Sequence, residues 1–156
     1  MPEVTTANTN TRVGATARIA LHPIHPMLVP FPIVCFIGAL LTDIAYWRTT
    51  EMMWADFSAW LLFAGLLMGG LAAIAGLIDF IGRRRIRQIA AAWWHMIGNI
   101  VVMLLALANS FVHSRDAWTS VIPEGLVLSV LTVLVMLVTA WLGGEMVYRR
   151  RVGVVD

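Results

Sequence analysis

The chain has 156 residues, of which 60% are hydrophobic and 13% are charged, and its formal net charge is +2 at pH 7. Soluble domains carry about 25% charged residues, so this composition excludes an ordinary soluble domain and indicates a membrane protein. The single cysteine, Cys35, excludes an intrachain disulfide bond and a Cys-x-x-Cys metal or redox motif.

The first 20 residues are rich in Thr, Ala and Asn, and we expect them to form a mobile cytoplasmic tail. We do not expect a cleaved signal peptide, because the first apolar run is long enough to span a membrane. Between the tail and that run lies HPIHPMLVPFP, from His22 to Pro32, with two histidines and four prolines. Proline is tolerated best in the first turn of a helix, so we predict an irregular segment up to about Pro30. Irregular backbone at membrane depth must face protein or a polar cavity, which turns His22 and His25 away from lipid.

Four apolar runs follow, each close to the roughly 20 residues that a helix needs to cross the hydrocarbon core. They are Pro30–Trp47, Ala59–Ile81, Ala90–His113 and Glu124–Tyr148. The sequence therefore predicts an all-α fold, a four-helix transmembrane bundle that occupies residues 21–156 and lies in a lipid bilayer.

The arginines predict the orientation of this bundle. Nine of the eleven lie before the first run, between the second and third runs, or after the fourth, whereas Arg48 and Arg115 lie at the opposite ends of the spans. By the positive-inside rule, both termini lie in the cytoplasm. The basic run at residues 83–87 is then a topology signal, and we expect no nucleic-acid partner.

A layer of polar residues from all four spans shares one depth near the arginine-rich end. Its members are His22, His25, Asp79, His95, Asn99 and Glu145. Ionisable residues at membrane depth are candidates for function. A simpler interpretation is also open, because each carboxylate precedes an arginine by four residues, the favourable spacing for an ion pair on a helix. In that interpretation the histidines only cap or cross-link the bundle.

Further polar and small residues continue along the spans. Asn109 and His113 share a face of span three with His95 and Asn99, as interhelical hydrogen bonding alone would require. We interpret His113 as an ordinary interfacial residue, and Asp43 as a partner of Arg48 or His113. Small residues either let another helix approach closely or leave room for a flat cofactor. They are Gly65, Gly69, Ala72 or Ala73, Gly76, Gly143 and Gly144.

The segments HPIHP, GLIDFI, HMIGN and WLGGEMVYRRRVGV together resemble the bacterial membrane family called domain of unknown function 2231, over roughly residues 20–155. The resemblance implies a four-span protein of the bacterial inner membrane, of a kind often found beside Rieske or cytochrome c domains. It therefore hints at electron transfer with redox proteins of a respiratory chain. The matched positions are His22, His25, Asp79, His95, Asn99, Gly143, Gly144 and Glu145.

Three uses of the polar layer remain open. The first is b-type haem, with His95 opposed by His25 or His22 as axial ligands and Asn99 beside them. The second is a Zn, Fe or Mn ion, with ligands from His22, His25, Asp79, His95 and Glu145. The third is a cofactor-free accessory subunit in which the layer only fixes packing.

No hydrolase motif is present, neither Gly-x-Ser-x-Gly nor His-Glu-x-x-His. We therefore expect no independent enzymatic activity. Four short spans enclose a narrow interior, so a pore would require a homo-oligomer.

Overall fold

The computed structural model describes residues 16–19, 22–115, 121–149 and 152. A two-residue antiparallel bridge, β1 (Arg18–Ile19) with β2 (His22–Pro23), precedes the first helix. The helices are α1 (Ile24–Leu28), α2 (Pro30–Thr49), α3 (Met52–Gly82), α4 (Arg84–Arg87), α5 (Ala90–His113) and α6 (Leu126–Tyr148). A kinked segment, Val121–Gly125, in which Ile122 has extended dihedral angles, leads into α6.

Four segments are long and apolar enough to cross a membrane, which confirms the predicted all-α, four-span bundle. They are Ile24–Thr49, Met52–Gly82, Ala90–His113 and Val121–Tyr148. The second span begins seven residues before the predicted Ala59. In the structure Asp56 is exposed while Ala55 and Ser58 are buried, so this stretch is an amphipathic start to the same helix.

The proline-rich segment is more helical than predicted. Residues Ile24–Leu28 form a helical turn instead of irregular chain, and helical dihedrals continue through Val29 into α2. Pro26 is the third residue of α1 and Pro30 is the first residue of α2. Each proline thus falls in a first turn, where its missing N–H has no acceptor within the helix. The spacing of the prolines is therefore compatible with two successive helix starts.

The bundle is built from two helical hairpins, since α2 packs mainly on α3 and α5 packs mainly on α6. All four helices contribute to the apolar core between the hairpins, which comprises Phe36, Ala39, Leu62, Val102, Ala106, Val133 and Met136. Glycines allow close contact at two places. A Cβ at Gly65 would lie 2.5 Å from the Phe36 ring, and a Cβ at Gly98 would overlap Thr139 Cγ2.

The outward face of the bundle is apolar along its whole length. Large apolar side chains on this face are mostly exposed, among them Trp141 (77% exposed), Trp60 (70%) and Val34 (68%). Apolar exposure on this scale is unfavourable in water and favourable in hydrocarbon. The apolar surface and the length of the helices therefore both indicate a lipid environment.

Candidate functional site

His25 in α1 docks onto the face of α3. Its Nδ1 lies 2.8 Å from the carbonyl oxygen of Ala72. The ring fills the space that Gly76 leaves open, because a Cβ at that position would lie 3.0 Å from both Nδ1 and Cε1 of His25. A residue with a side chain at position 76 would therefore push the imidazole off its carbonyl acceptor.

His95 in α5 repeats this arrangement on α6. Its Nδ1 lies 2.8 Å from the carbonyl oxygen of Thr139. A Cβ at Gly143 would lie 3.0 Å from Cε1 and 3.3 Å from Nδ1 of the ring. In both hairpins the glycine follows the accepting residue by four positions, which is one helical turn. The small-residue faces that the sequence revealed thus make room for imidazole rings.

The acceptors fix the tautomer of both histidines. A carbonyl oxygen only accepts hydrogen bonds, so Nδ1 carries the hydrogen in each ring and Nε2 carries a lone pair. The His95 Nε2 accepts from Asn99 Nδ2 at 3.2 Å, and the same amide nitrogen donates to the His95 carbonyl oxygen at 2.7 Å. The described residues offer no hydrogen-bond partner to the Nε2 of His25. One ring nitrogen of that residue therefore stays available to a ligand.

The two rings meet at the arginine-rich end of the bundle. Their centroids are 6.2 Å apart and their planes cross at 88°, an edge-to-face contact. We call this pair the His25–His95 site. His22 does not share its half-buried surroundings, since it is exposed on β2. Glu145 is half-buried on α6.

Asp79 contacts the chain that precedes the first helix, whereas its position in the sequence had grouped it with the histidines of the polar layer. Its Oδ1 accepts hydrogen bonds from the backbone N–H groups of Thr16 (2.5 Å) and Ala17 (2.8 Å). Arg83 Nε donates to Thr16 Oγ1 at 3.2 Å. The carboxylate thus ties the last part of the predicted mobile tail to the bundle, while residues 1–15 lie outside the described residues.

The five predicted metal ligands do not assemble into one site. In the part of the chain that the structure describes, no three His, Cys, Asp or Glu side chains form a group that could hold a metal ion. Asp79 is occupied by two backbone amides, and the Nδ1 atoms of both paired histidines are occupied by carbonyl oxygens. Among the described residues, the arrangement offers two imidazoles and no third metal-binding side chain grouped with them.

A second polar site lies at the opposite end of the bundle. Asp43 Oδ1 lies 2.9 Å from His113 Nε2, and both residues are buried, with 0% and 8% of their surfaces exposed. Asp43 Oδ2 accepts from Ser129 Oγ at 2.5 Å, and Ser129 Oγ accepts from Asn109 Nδ2 at 2.8 Å. We call this group the Asp43–His113 site. The predicted pairing of Asp43 with His113 is confirmed, and His113 is buried inside the bundle at the end of α5.

The two sites are related by the repeated hairpin. Asp43 follows His25 by 18 residues, and His113 follows His95 by the same interval. Each contact therefore joins residues 70 positions apart. Eighteen residues of helix rise about 27 Å, so the sites lie near opposite ends of the spans. The two sites therefore use the same spacing along the first and third spans.

The fold and its apolar surface define an integral membrane protein with four spanning helices. The chain belongs to the family described as predicted membrane protein DUF2231, whose profile matches residues 21–156. This confirms the resemblance drawn from the sequence motifs. No curated protein and no solved structure matches the chain.

Proposed function

We propose that the His25–His95 site binds b-type haem and that the protein transfers electrons within a bacterial inner membrane. The observation that carries this proposal is the pair of imidazoles with fixed tautomers. Both Nδ1 atoms donate to backbone carbonyl oxygens, and both Nε2 atoms carry a lone pair. Histidines that bind metals commonly donate their other ring nitrogen to a carbonyl oxygen in this way.

The number of ligands favours haem over a bare metal ion. A porphyrin supplies four nitrogen donors of its own, so the protein needs to add only axial ligands. A structural or catalytic zinc ion instead requires three or four protein ligands. Of the five predicted metal ligands, only His25 and His95 are found together among the described residues. Asp79 Oδ1 instead accepts hydrogen bonds from two backbone N–H groups.

His25 and His95 lie close enough to hold one group together, because their ring centroids are 6.2 Å apart. Asn99 has a second acceptor in the His95 carbonyl oxygen, so its amide stays hydrogen bonded when Nε2 serves a ligand. Bound haem would supply one-electron redox chemistry, with redox proteins of a respiratory chain as partners.

An absorption spectrum tests this proposal. The protein, produced with adequate haem and purified in mild detergent, should be red, with a Soret band that shifts on dithionite reduction. His95→Ala should abolish the band, because an apolar pocket offers no substitute ligand, and His25→Ala should abolish or weaken it. His22→Ala is the matched control, since this exposed histidine lies outside the pair.

Three results would contradict the proposal. A colourless protein with stoichiometric metal would indicate a metal site instead. A colourless, metal-free, folded protein would leave the histidines as packing elements of an accessory subunit. A Soret band that survives both His25→Ala and His95→Ala would place the haem elsewhere.

A further inference from the structure

We propose that Asp43 and His113 form a buried proton-binding site that holds one exchangeable proton at the arginine-poor end of the bundle. The site is independent of haem, because it lies at the other end of the spans. Its ligand is a proton drawn from the aqueous medium on that side.

A count of hydrogens leads to this assignment. His113 Nδ1 lies 3.0 Å from the carbonyl oxygen of Asn109, and Nε2 lies 2.9 Å from Asp43 Oδ1. Both partners are acceptors when the carboxylate is ionised, but a neutral imidazole has a single N–H. A second hydrogen must therefore lie between Nε2 and Oδ1. It resides either on the ring, as imidazolium and carboxylate, or on the acid, beside a neutral imidazole.

The neighbouring hydroxyl cannot supply that hydrogen. Ser129 Oγ accepts from Asn109 Nδ2, so the Ser129 hydrogen points to the other carboxylate oxygen, Asp43 Oδ2. Asn109 Oδ1, fully buried nearby, has no hydrogen-bond partner among the residues described. The network therefore contains more acceptors than donors, and an added proton is favourable in it.

Among the residues that the structure describes, no other charge neutralises Asp43. Tyr46 is buried one turn further along α2, α3 contributes the hydroxyl of Ser58, and α6 contributes Ser129 and Thr132. The chain has no lysine, and none of the arginines that the structure describes is buried. The charged side chains described near this end are all exposed: Arg48, Glu51, Asp56, Arg115 and Glu124. Loss of the proton would leave one uncompensated negative charge in the bundle, with two acceptors facing each other.

The position of the site determines where its proton exchanges. His113 is the last residue of α5, and the next two residues, Ser114 and Arg115, are exposed. Toward the other end, the apolar core separates Asp43 from the His25–His95 site. The proton therefore exchanges with the medium at the arginine-poor end.

Spectroscopy of the full-length protein in detergent or nanodiscs tests the proposal at pH 7. If the proton is on His113, nitrogen-15 NMR of labelled histidine should show both ring nitrogens protonated in one residue. If it is on Asp43, the infrared spectrum should show a protonated carboxylic acid band that shifts in heavy water and on carbon-13 labelling of aspartate. Asp43→Asn should remove either signal, and Asp56→Asn, at an exposed acid, should leave both unchanged.

The labelled wild-type protein decides the question even if Asp43→Asn fails to fold. His25 and His95 each face one carbonyl oxygen through Nδ1, so they are expected to carry a single N–H. His22→Ala removes the remaining, exposed histidine from the spectrum. The absence of both a doubly protonated histidine and a protonated aspartate would overturn the proposal. A signal that persists in folded Asp43→Asn would also overturn it.

Discussion

Each imidazole of the His25–His95 site occupies space that is free because the facing residue, Gly76 or Gly143, has no Cβ atom. Gly143 leaves space for His95, whereas a Cβ at the adjacent Gly144 would meet its nearest neighbour, the Tyr148 ring, at 3.9 Å. Substitution to alanine adds the same atom and the same helix propensity at both positions. The difference between the two variants therefore measures the contact with the histidine alone.

We predict that Gly143→Ala lowers the free energy of unfolding by about 1–3 kcal/mol, the usual effect of overpacking. The displaced ring also loses its hydrogen bond to Thr139. Gly144→Ala should be neutral or stabilise the protein by up to about 1 kcal/mol, from the higher helix propensity of alanine. Reversible unfolding in detergent measures both values. Equal effects of the two variants would show that His95 does not need the space at position 143.

Asp79 acts on the chain that precedes the bundle. Because its carboxylate accepts from two backbone amides, we predict that Asp79→Ala speeds hydrogen exchange at Thr16 and Ala17 by tenfold or more, since a charge-assisted bond contributes about 1.5–3 kcal/mol. Asp79→Asn retains one oxygen acceptor and should give a smaller increase. Mass spectrometry of exchanged protein measures the effect. Unchanged protection in Asp79→Ala would contradict the role of this carboxylate as an anchor.

At the scale of the helices, glycine determines how closely the hairpins pack. Gly98 in α5 faces Thr139 in α6, and a Cβ there would overlap the threonine methyl group. Gly70 in α3 has nothing within 4 Å of an added Cβ. The two glycines look alike in the sequence, since both interrupt long apolar helices. Substitution to alanine should affect stability differently at the two positions, because Gly98 lies between two helices and Gly70 does not.

We predict that Gly98→Ala forces α5 and α6 apart and lowers the free energy of unfolding by roughly 1–3 kcal/mol or more. Gly70→Ala should be neutral or stabilise the protein by up to about 1 kcal/mol, from its higher helix propensity. Thermal denaturation of both variants in the same detergent makes the comparison. A stable Gly98→Ala protein beside a destabilised Gly70→Ala protein would contradict the observed packing of these helices.

At the scale of the whole molecule, the two hairpins place one polar site at each end of an apolar core. The arginines predict the orientation in the bilayer, because nine of the eleven lie in the sequence before the first span, between the second and third spans, or after the fourth. We predict that reporter fusions after residues 50 and 116 report the outside of the cell. Fusions near residue 86 and at the C-terminus should report the cytoplasm. The reverse pattern would place the His25–His95 site on the outside.

The sequence alone determined the architecture and the depth of the polar residues. Hydrophobicity and span length are local properties, so the four helices and their order follow from the apolar runs. The position of a residue along its apolar run predicts its depth in the membrane. On this basis, His25 and His95 were grouped at the arginine-rich end. Boundaries were less certain, and both Ile24 and Met52 begin helices earlier than the runs indicated.

Only the tertiary structure decided which side chains meet. The rotation of each helix about its axis selects the face that it presents, and depth does not specify that rotation. Asp43 therefore contacts Ser129, 86 residues away, and Asp79 binds backbone amides 62 and 63 residues earlier in the chain. His113 is buried for the same reason, because the α5 face that carries it turns toward Asp43. Contacts between distant residues depend on how four helices pack together, and that packing is a property of the folded bundle.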